Sequence, residues 1–274
     1  MGYLRAALKN QLTSEELELL PAGFDRVGHV VIISLPQGLV HRIPDIAQAL
    51  LKLKDVRTVT LREGAIVGRH REPKLRVIAG DPSTETVHRE GGCCFKLDVA
   101  RVMFSPGNLY ERARLPKLVE PGEVIIDFFA GIGQFSIPIA KHARPSLVYA
   151  IELNPVACGY LSENIRLNRV GHIVKPLLGD CSTVAPRGVA DRVVLGILHV
   201  THRYLPLAVE VLKPGGGIIH YHESVPSDLR FERPIKRIWG AVAGRGVEIL
   251  GKRVVKRYAP GVDHVVIDAR VGKI

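Results

Sequence analysis

Residues 124–135 read VIIDFFAGIGQF, and this stretch decides the fold. An apolar run opens it, Asp127 follows, and Gly131 and Gly133 come next. The order is that of a buried strand, a glycine turn and a helix start. A second apolar run, Val148-Tyr149-Ala150-Ile151, ends in Glu152 one βαβ step later. Glycines let backbone approach a ligand closely, and a carboxylate at the second strand end can accept both ribose hydroxyls. The pairing suits a nucleoside cofactor. Asp180 follows a third such run, and packing alone does not explain acids at successive strand ends.

Two cofactor classes share these features. A dinucleotide fold prefers G-x-G-x-x-G with a pyrophosphate on the helix N-terminus. Here Ser136 stands where the third glycine belongs, and Asp127 points an acid into the turn. A carboxylate repels a pyrophosphate and suits a cation. S-adenosylmethionine carries a sulfonium and an ammonium and no phosphate, so the turn favours it as co-substrate.

The chain has 274 residues, enough for one large or two modest domains with a full core. It shows no apolar run near the ~20 residues that span a bilayer and no secretory leader. A cytoplasmic protein without a membrane partner is expected. Cys93, Cys94, Cys158 and Cys181 show no metal-binding spacing and read as reduced thiols. Scarce Asn and Gln, five and four, fit a heat-adapted source. Net charge is +11, with nine Arg or Lys against three acids in 225–260. Such a field favours a polyanion, most simply nucleic acid. Arg69, Arg71, Lys74, Arg230, Arg233, Lys236 and Arg237 are the candidate phosphate contacts.

The expected fold class is α/β. A small α+β domain over 24–103 follows an N-terminal helix over 1–23. Residues 104–274 then form a Rossmann-like, class I methyltransferase-type domain. Within the first part a helix is expected over 4–20, with an N-cap pattern at Thr13-Ser14-Glu15-Glu16 before Leu17, Leu19 and Leu20, and a strand over 27–35. Later strands are expected at 124–128, 147–152, 173–179, 191–197 and 217–221, alternating with helices. Two final strands, 247–257 and 263–270, flank Ala259-Pro260-Gly261 and pair as a reversed hairpin. Ligands of such sheets sit at the C-terminal strand ends, where Asp127, Glu152 and Asp180 fall.

The run Phe104-Ser105-Pro106, then Glu111-Arg112-Ala113-Arg114, then 127–133 resembles the group of tRNA guanine-N1 methyltransferases acting next to the anticodon and their wybutosine-pathway relatives. The resemblance runs from about residue 24 to the C-terminus. The methyltransferases carry an Asn-Leu-Pro or Asn-Pro-Pro element on the fourth strand. This chain reads Leu195-Gly196-Ile197-Leu198-His199 there, and Gly107-Asn108 where they tend to have Arg-Leu. Thr201-His202 and His220-Tyr221-His222-Glu223 are similar to the archaeal branch that transfers a 3-amino-3-carboxypropyl group.

That branch implies a tRNA partner. The acceptor is 4-demethylwyosine in phenylalanine tRNA, and the by-product is methylthioadenosine. By the same resemblance Ser105 and Arg112 lie near the co-substrate, with Arg112 meeting its carboxylate. Glu111 is the candidate catalytic proton acceptor. Glu152, with Leu153 beside it, holds the ribose. Asp180 and the Cys181 backbone face the adenine, and Phe129, Ala130, Gly131 and Gly133 form the floor. A monomer is expected. His220 and His222, two apart on a strand, are a feasible ligand pair, but expelling a thioether needs no metal, and none is expected. The competing readings are guanine-N1 methyl transfer, a nucleic-acid-binding module with a vestigial cofactor fold, and an NAD-type oxidoreductase.

Overall fold

A computed structural model describes residues 2–64, 68, 71–242 and 244–273. Arg69 lies outside them. The chain divides into two compact units, Met1–Pro106 and Gly107–Ile274.

In the first unit, α1 (Tyr3–Leu8) and α2 (Ser14–Leu19) replace the single helix expected over 4–20. Thr13 is the reason. Its hydroxyl accepts the Glu16 N–H, and the Glu16 carboxylate accepts the Thr13 N–H. That reciprocal box starts a helix, so the preceding one ends before it. The strand expected over 27–35 is also two, β1 (Asp25–Val27) and β2 (Val30–Ile33), paired antiparallel. Gly28 turns the chain between them at φ 56°, and a Cβ there would lie 2.1 Å from Thr86 Oγ1. Then come α3 (Ile43–Leu51), β3 (Thr58–Arg62) and β4 (Leu75–Gly80), giving a sheet of order β1-β2-β3-β4. Leu4, Leu8, Val31, Ile33, Ile46, Leu50 and Val59 form its core. A separate hairpin, β5 (Glu85–Glu90) and β6 (Cys93–Asp98), follows.

The second unit opens with α4 (Leu109–Arg114). It alternates β7 (Val124–Asp127), α5 (Ser136–His142), β8 (Leu147–Glu152), α6 (Pro155–Leu167), β9 (Val174–Leu178), α7 (Cys181–Val184) and β10 (Arg192–Leu195). It closes with α8 (Leu205–Val211), β11 (Gly217–Pro226), α9 (Glu232–Ala241), β12 (Val247–Ala259) and β13 (Val262–Val271). The sheet order is β12-β13-β11-β10-β7-β8-β9. The five strands from β9 to β11 are parallel, and the terminal hairpin runs against β11. This is the architecture the sequence implies. β11 is longer than expected because β13 pairs with it from Gly217 to Pro226.

Side chains alternate across a sheet, and here the two faces differ in kind. One carries Ile126, Val193, Leu195, Ile219, Tyr221 and Ile267 in the apolar core. The other buries Asp127, Arg192, His220, His222, His264 and Asp268. No helix among the described residues is long and apolar enough to cross a membrane.

Candidate active site

The glycine turn after β7 is held by two carboxylates. Asp127 is fully buried and accepts the Ser136 hydroxyl at 2.7 Å and the Phe129 N–H at 3.3 Å. Burial pushes its carboxyl up to about 6, against the pull of those hydrogen bonds. Glu152 accepts the Gly131 N–H on one oxygen and the Asn154 N–H on the other, both at 2.7 Å. One carboxylate thus staples the turn to the next βα loop. β7 and β8 are neighbours with Asp127 beside Ala150, so both acids stand at one sheet edge.

The other turn residues surround this pair. Ala130 and Gly133 are buried, and Leu153 is half-buried. Phe129 meets Tyr204 edge-on at 4.9 Å between ring centroids. Gly133 sits at φ 96°, and a Cβ there would approach Ile137 Cδ1 to 2.5 Å. Gly133→Ala is therefore expected to cost about 2–4 kcal/mol, combining backbone strain with overpacking. Urea unfolding checks this, and a loss below about 0.5 kcal/mol would show that the turn relaxes.

Asp180 caps α7, accepting the Ser182 N–H at 3.0 Å and its hydroxyl at 2.7 Å. The Cys181 thiol is buried and pushed up to about 12 by that burial, with Asp180 adding to it. It is inert as a nucleophile, so Cys181 has its backbone to offer.

α4 brings Glu111 and Arg112 into the second unit as buried side chains. Glu111 is held by the Arg114 guanidinium at 2.9–3.2 Å and by Arg253 at 3.0 Å. Arg112 donates to Gln134 Oε1 at 3.5 Å, on the residue directly after the glycine pair. Ser105 falls in the first unit and is half-buried.

A chain of polar contacts continues from Glu111. Arg114 reaches Asp268 at 2.6 Å, Asp268 accepts from His220 Nδ1 at 2.5 Å, and Arg192 lies 2.8 Å from His220 Nε2. Arg192 also binds Glu123. A guanidinium can only donate, so His220 Nε2 must accept and the proton sits on Nδ1. Burial drives this histidine below its usual range despite Asp268. His222 Nδ1 meets His264 Nε2 at 3.0 Å. The suggested ligand pair is thus committed to other partners. Among the described residues no three His, Cys, Asp or Glu side chains group as metal ligands.

Several proposed phosphate contacts are ion-paired within the protein. Arg230 binds Asp263, and Arg233 and Arg237 both bind the buried Glu223. Sequence reasoning did not single out Gln134 or Asp268. The Asn154 side chain caps α6, and its N–H orients Glu152.

The sequence of the TYW2 N-terminal domain family matches residues 4–84, and that of the TRM5/TYW2 methyltransferase domain family matches 86–250. A relative from Methanocaldococcus jannaschii is 42% identical over 253 residues, covering 92% of this chain and 98% of its own length. It is named tRNA(Phe) (4-demethylwyosine(37)-C(7)) aminocarboxypropyltransferase. The crystal structure of Pyrococcus horikoshii TYW2 in complex with MeSAdo aligns with TM-score 0.85 and 37% identity, over 99% of this chain and 98% of that one. That of Trm5b from Pyrococcus abyssi aligns with TM-score 0.87 and 39% identity, over 95% of this chain and 78% of that one. The glycine turn with its two acids, the reversed hairpin and these near-complete matches converge: the chain belongs to the TRM5/TYW2 methyltransferase domain family.

Proposed function

We infer that the protein transfers the 3-amino-3-carboxypropyl group of S-adenosylmethionine to C7 of 4-demethylwyosine in tRNA(Phe), releasing methylthioadenosine. The observation that carries this is the match of residues 4–84 to the TYW2 N-terminal domain family together with the identity to two archaeal aminocarboxypropyltransferases. The chain spans 98% and 96% of two archaeal aminocarboxypropyltransferases at 42% and 40% identity.

The site fits the co-substrate. Glu152 is fixed by two backbone N–H groups at the end of β8, where a ribose diol is accepted. Asp127 places negative charge beneath the turn for a cationic ligand. Arg112, buried beside Gln134, is a cation for the carboxylate of the amino-acid arm. Phe129, Ala130, Gly131, Gly133 and Leu153 line the floor, and Asp180 with the Cys181 backbone faces the adenine.

The reaction breaks the sulfur–Cγ bond. The C7 electron pair attacks Cγ, the bonding pair returns to sulfur, and neutral methylthioadenosine leaves. C7 then loses its proton. A sulfonium has three carbon substituents, so the choice between methyl and propyl transfer is geometric, set by which carbon is held in line at ~3–3.5 Å. Just past β10, Gly196 presents no side chain, and a Cβ there would meet the Phe135 ring at 3.0 Å. Both Glu111 oxygens receive guanidinium hydrogen bonds. In this reading Glu111 accepts the proton only as Arg253 or Arg114 yields. The protein acts as a cytoplasmic monomer.

Mass spectrometry of the by-product tests the reading. The protein is incubated with S-adenosylmethionine and tRNA bearing the tricyclic precursor. Methylthioadenosine with the matching mass gain on tRNA is expected. Adenosylhomocysteine would mean methyl transfer.

A further inference from the structure

The polar face of the second unit continues beyond the parallel strands. The last β10–β11 pair is Leu195 with Tyr221, but β11 and β13 run on together to Pro226 and Val262. Ser224, opposite His264, therefore stands past the strand ends, on the face that carries His220 and Asp127 and at the edge where the glycine turn lies. On β12, Arg253 and Lys256 pair with Val266 and His264 and share that face.

Two tyrosines stand out there, and each is held while remaining open to solvent. Tyr110 on α4 is 62% exposed. The Arg253 guanidinium lies 3.8 Å from its ring centroid and is itself tied to buried Glu111 at 3.0 Å. Tyr258 is 43% exposed. Its hydroxyl lies 3.1 Å from His199 Nε2, and the two rings meet edge-on at 5.2 Å. His199 is fixed in turn by Ser224 Oγ at 3.0 Å on its other nitrogen. Its backbone adopts φ 71°, a left-handed conformation that costs a non-glycine residue and persists where surrounding contacts enforce it. Lys256, between Arg253 and Tyr258 on the strand, reaches so near Gly107 that a Cβ there would lie 3.0 Å from its Nζ.

Each ring is thus held from one side and partly exposed, with Arg253 over Tyr110 and Lys256 two residues before Tyr258 on β12. A rigid, half-free aromatic loses little entropy when a second flat group stacks on it. Every nucleobase offers such a face, and RNA read in single-stranded loops is bound this way. We propose that Tyr110 and Tyr258 are stacking platforms for unpaired nucleobases of the RNA substrate, with Lys256 meeting the phosphate between them. The proposal rests on the tRNA reading above and adds to it where the RNA is gripped.

The test measures tRNA and S-adenosylmethionine affinities separately, on the full chain, across a salt series. Tyr110→Ala and Tyr258→Ala are each expected to weaken tRNA binding by about 5–100-fold, with S-adenosylmethionine affinity unchanged. Stacking involves no counterions, so the salt slope should not move in either variant, whereas Lys256→Ala should reduce it by roughly 0.7. Tyr110→Trp should retain wild-type binding. Tyrosine-to-alanine variants that bind tRNA within twofold of the unsubstituted chain would overturn the platform. So would a parallel loss of S-adenosylmethionine binding, which would mark the tyrosines as structural. If the unsubstituted chain failed to bind tRNA at all, the functional reading would fall and the platform with it.

Discussion

On the proposal that Glu152 holds the ribose, Glu152→Ala is expected to weaken S-adenosylmethionine binding by about 30–1,000-fold, since two charge-assisted hydrogen bonds are worth about 2–4 kcal/mol together. A second effect adds to it. The carboxylate also receives the Gly131 and Asn154 N–H groups, so its removal releases the glycine turn. Glu152→Gln keeps one acceptor oxygen and should fall between alanine and wild type. Calorimetric titration with S-adenosylmethionine reads the loss, and a thermal melt separates it from unfolding. A folded Glu152→Ala protein that binds within threefold of wild type would remove Glu152 from the ribose site.

The second large effect concerns acid. His220, His222 and His264 are each no more than 2% exposed. Burial lowers all three below their usual range, His264 to about 3, with neighbouring charges adding to the shift for His222 and His264. Unfolding frees them to protonate near 6.5. Their contribution to stability is complete above that value and is lost as pH falls below it. Asp127, pushed up to about 6, works the other way: its contribution is present below 3.8 and lost as pH rises through 6.

Between pH 6 and 5 unfolding therefore takes up protons at the three histidines, about one of them at His264, and releases about one at Asp127. At about 1.4 kcal/mol per net proton per pH unit, stability should fall by about 1 kcal/mol or more for each unit of acidification. Below 4, Asp268 adds to the loss. Burial alone would raise its carboxyl, but hydrogen bonds from His220 and Arg114 hold it well below the usual range. Urea unfolding at pH 7.5, 6.0 and 5.0 measures the slope, and His264→Gln should flatten it by about one proton. A slope indistinguishable from zero would mean that the histidines are charged in the folded state.

The sequence made the catalytic half legible because its signals are local. The turn at 127–133, the acid at 152 and the helix start at Asn154-Pro155 are each decided within a few residues. The first unit was harder. A capping box inside a run of leucines and a left-handed glycine inside a run of valines break elements that hydropathy joins. The polar face was invisible for a different reason. Glu111, Arg192, His220 and Asp268 lie up to 157 residues apart, and only the sheet order brings them together. The spacing of His220 and His222 put them correctly on one face, but their partners Asp268 and His264 come from the far strand of the hairpin.

The contrast between the two sheet faces also governs how the chain ends can assemble. Strand pairing has a period of two, so a slip of one residue between β11 and β13 turns every side chain over. Slipped in that way, Asp268 and His264 would enter the hydrocarbon side among Ile219, Ile238 and Val211, and Ile267 would face Arg114 and His220. Stranding a charge there without its guanidinium costs several kcal/mol. An all-apolar hairpin would tolerate the wrong register almost as well as the right one. The buried acids and histidines thus act as a key that admits one register of the hairpin on β11.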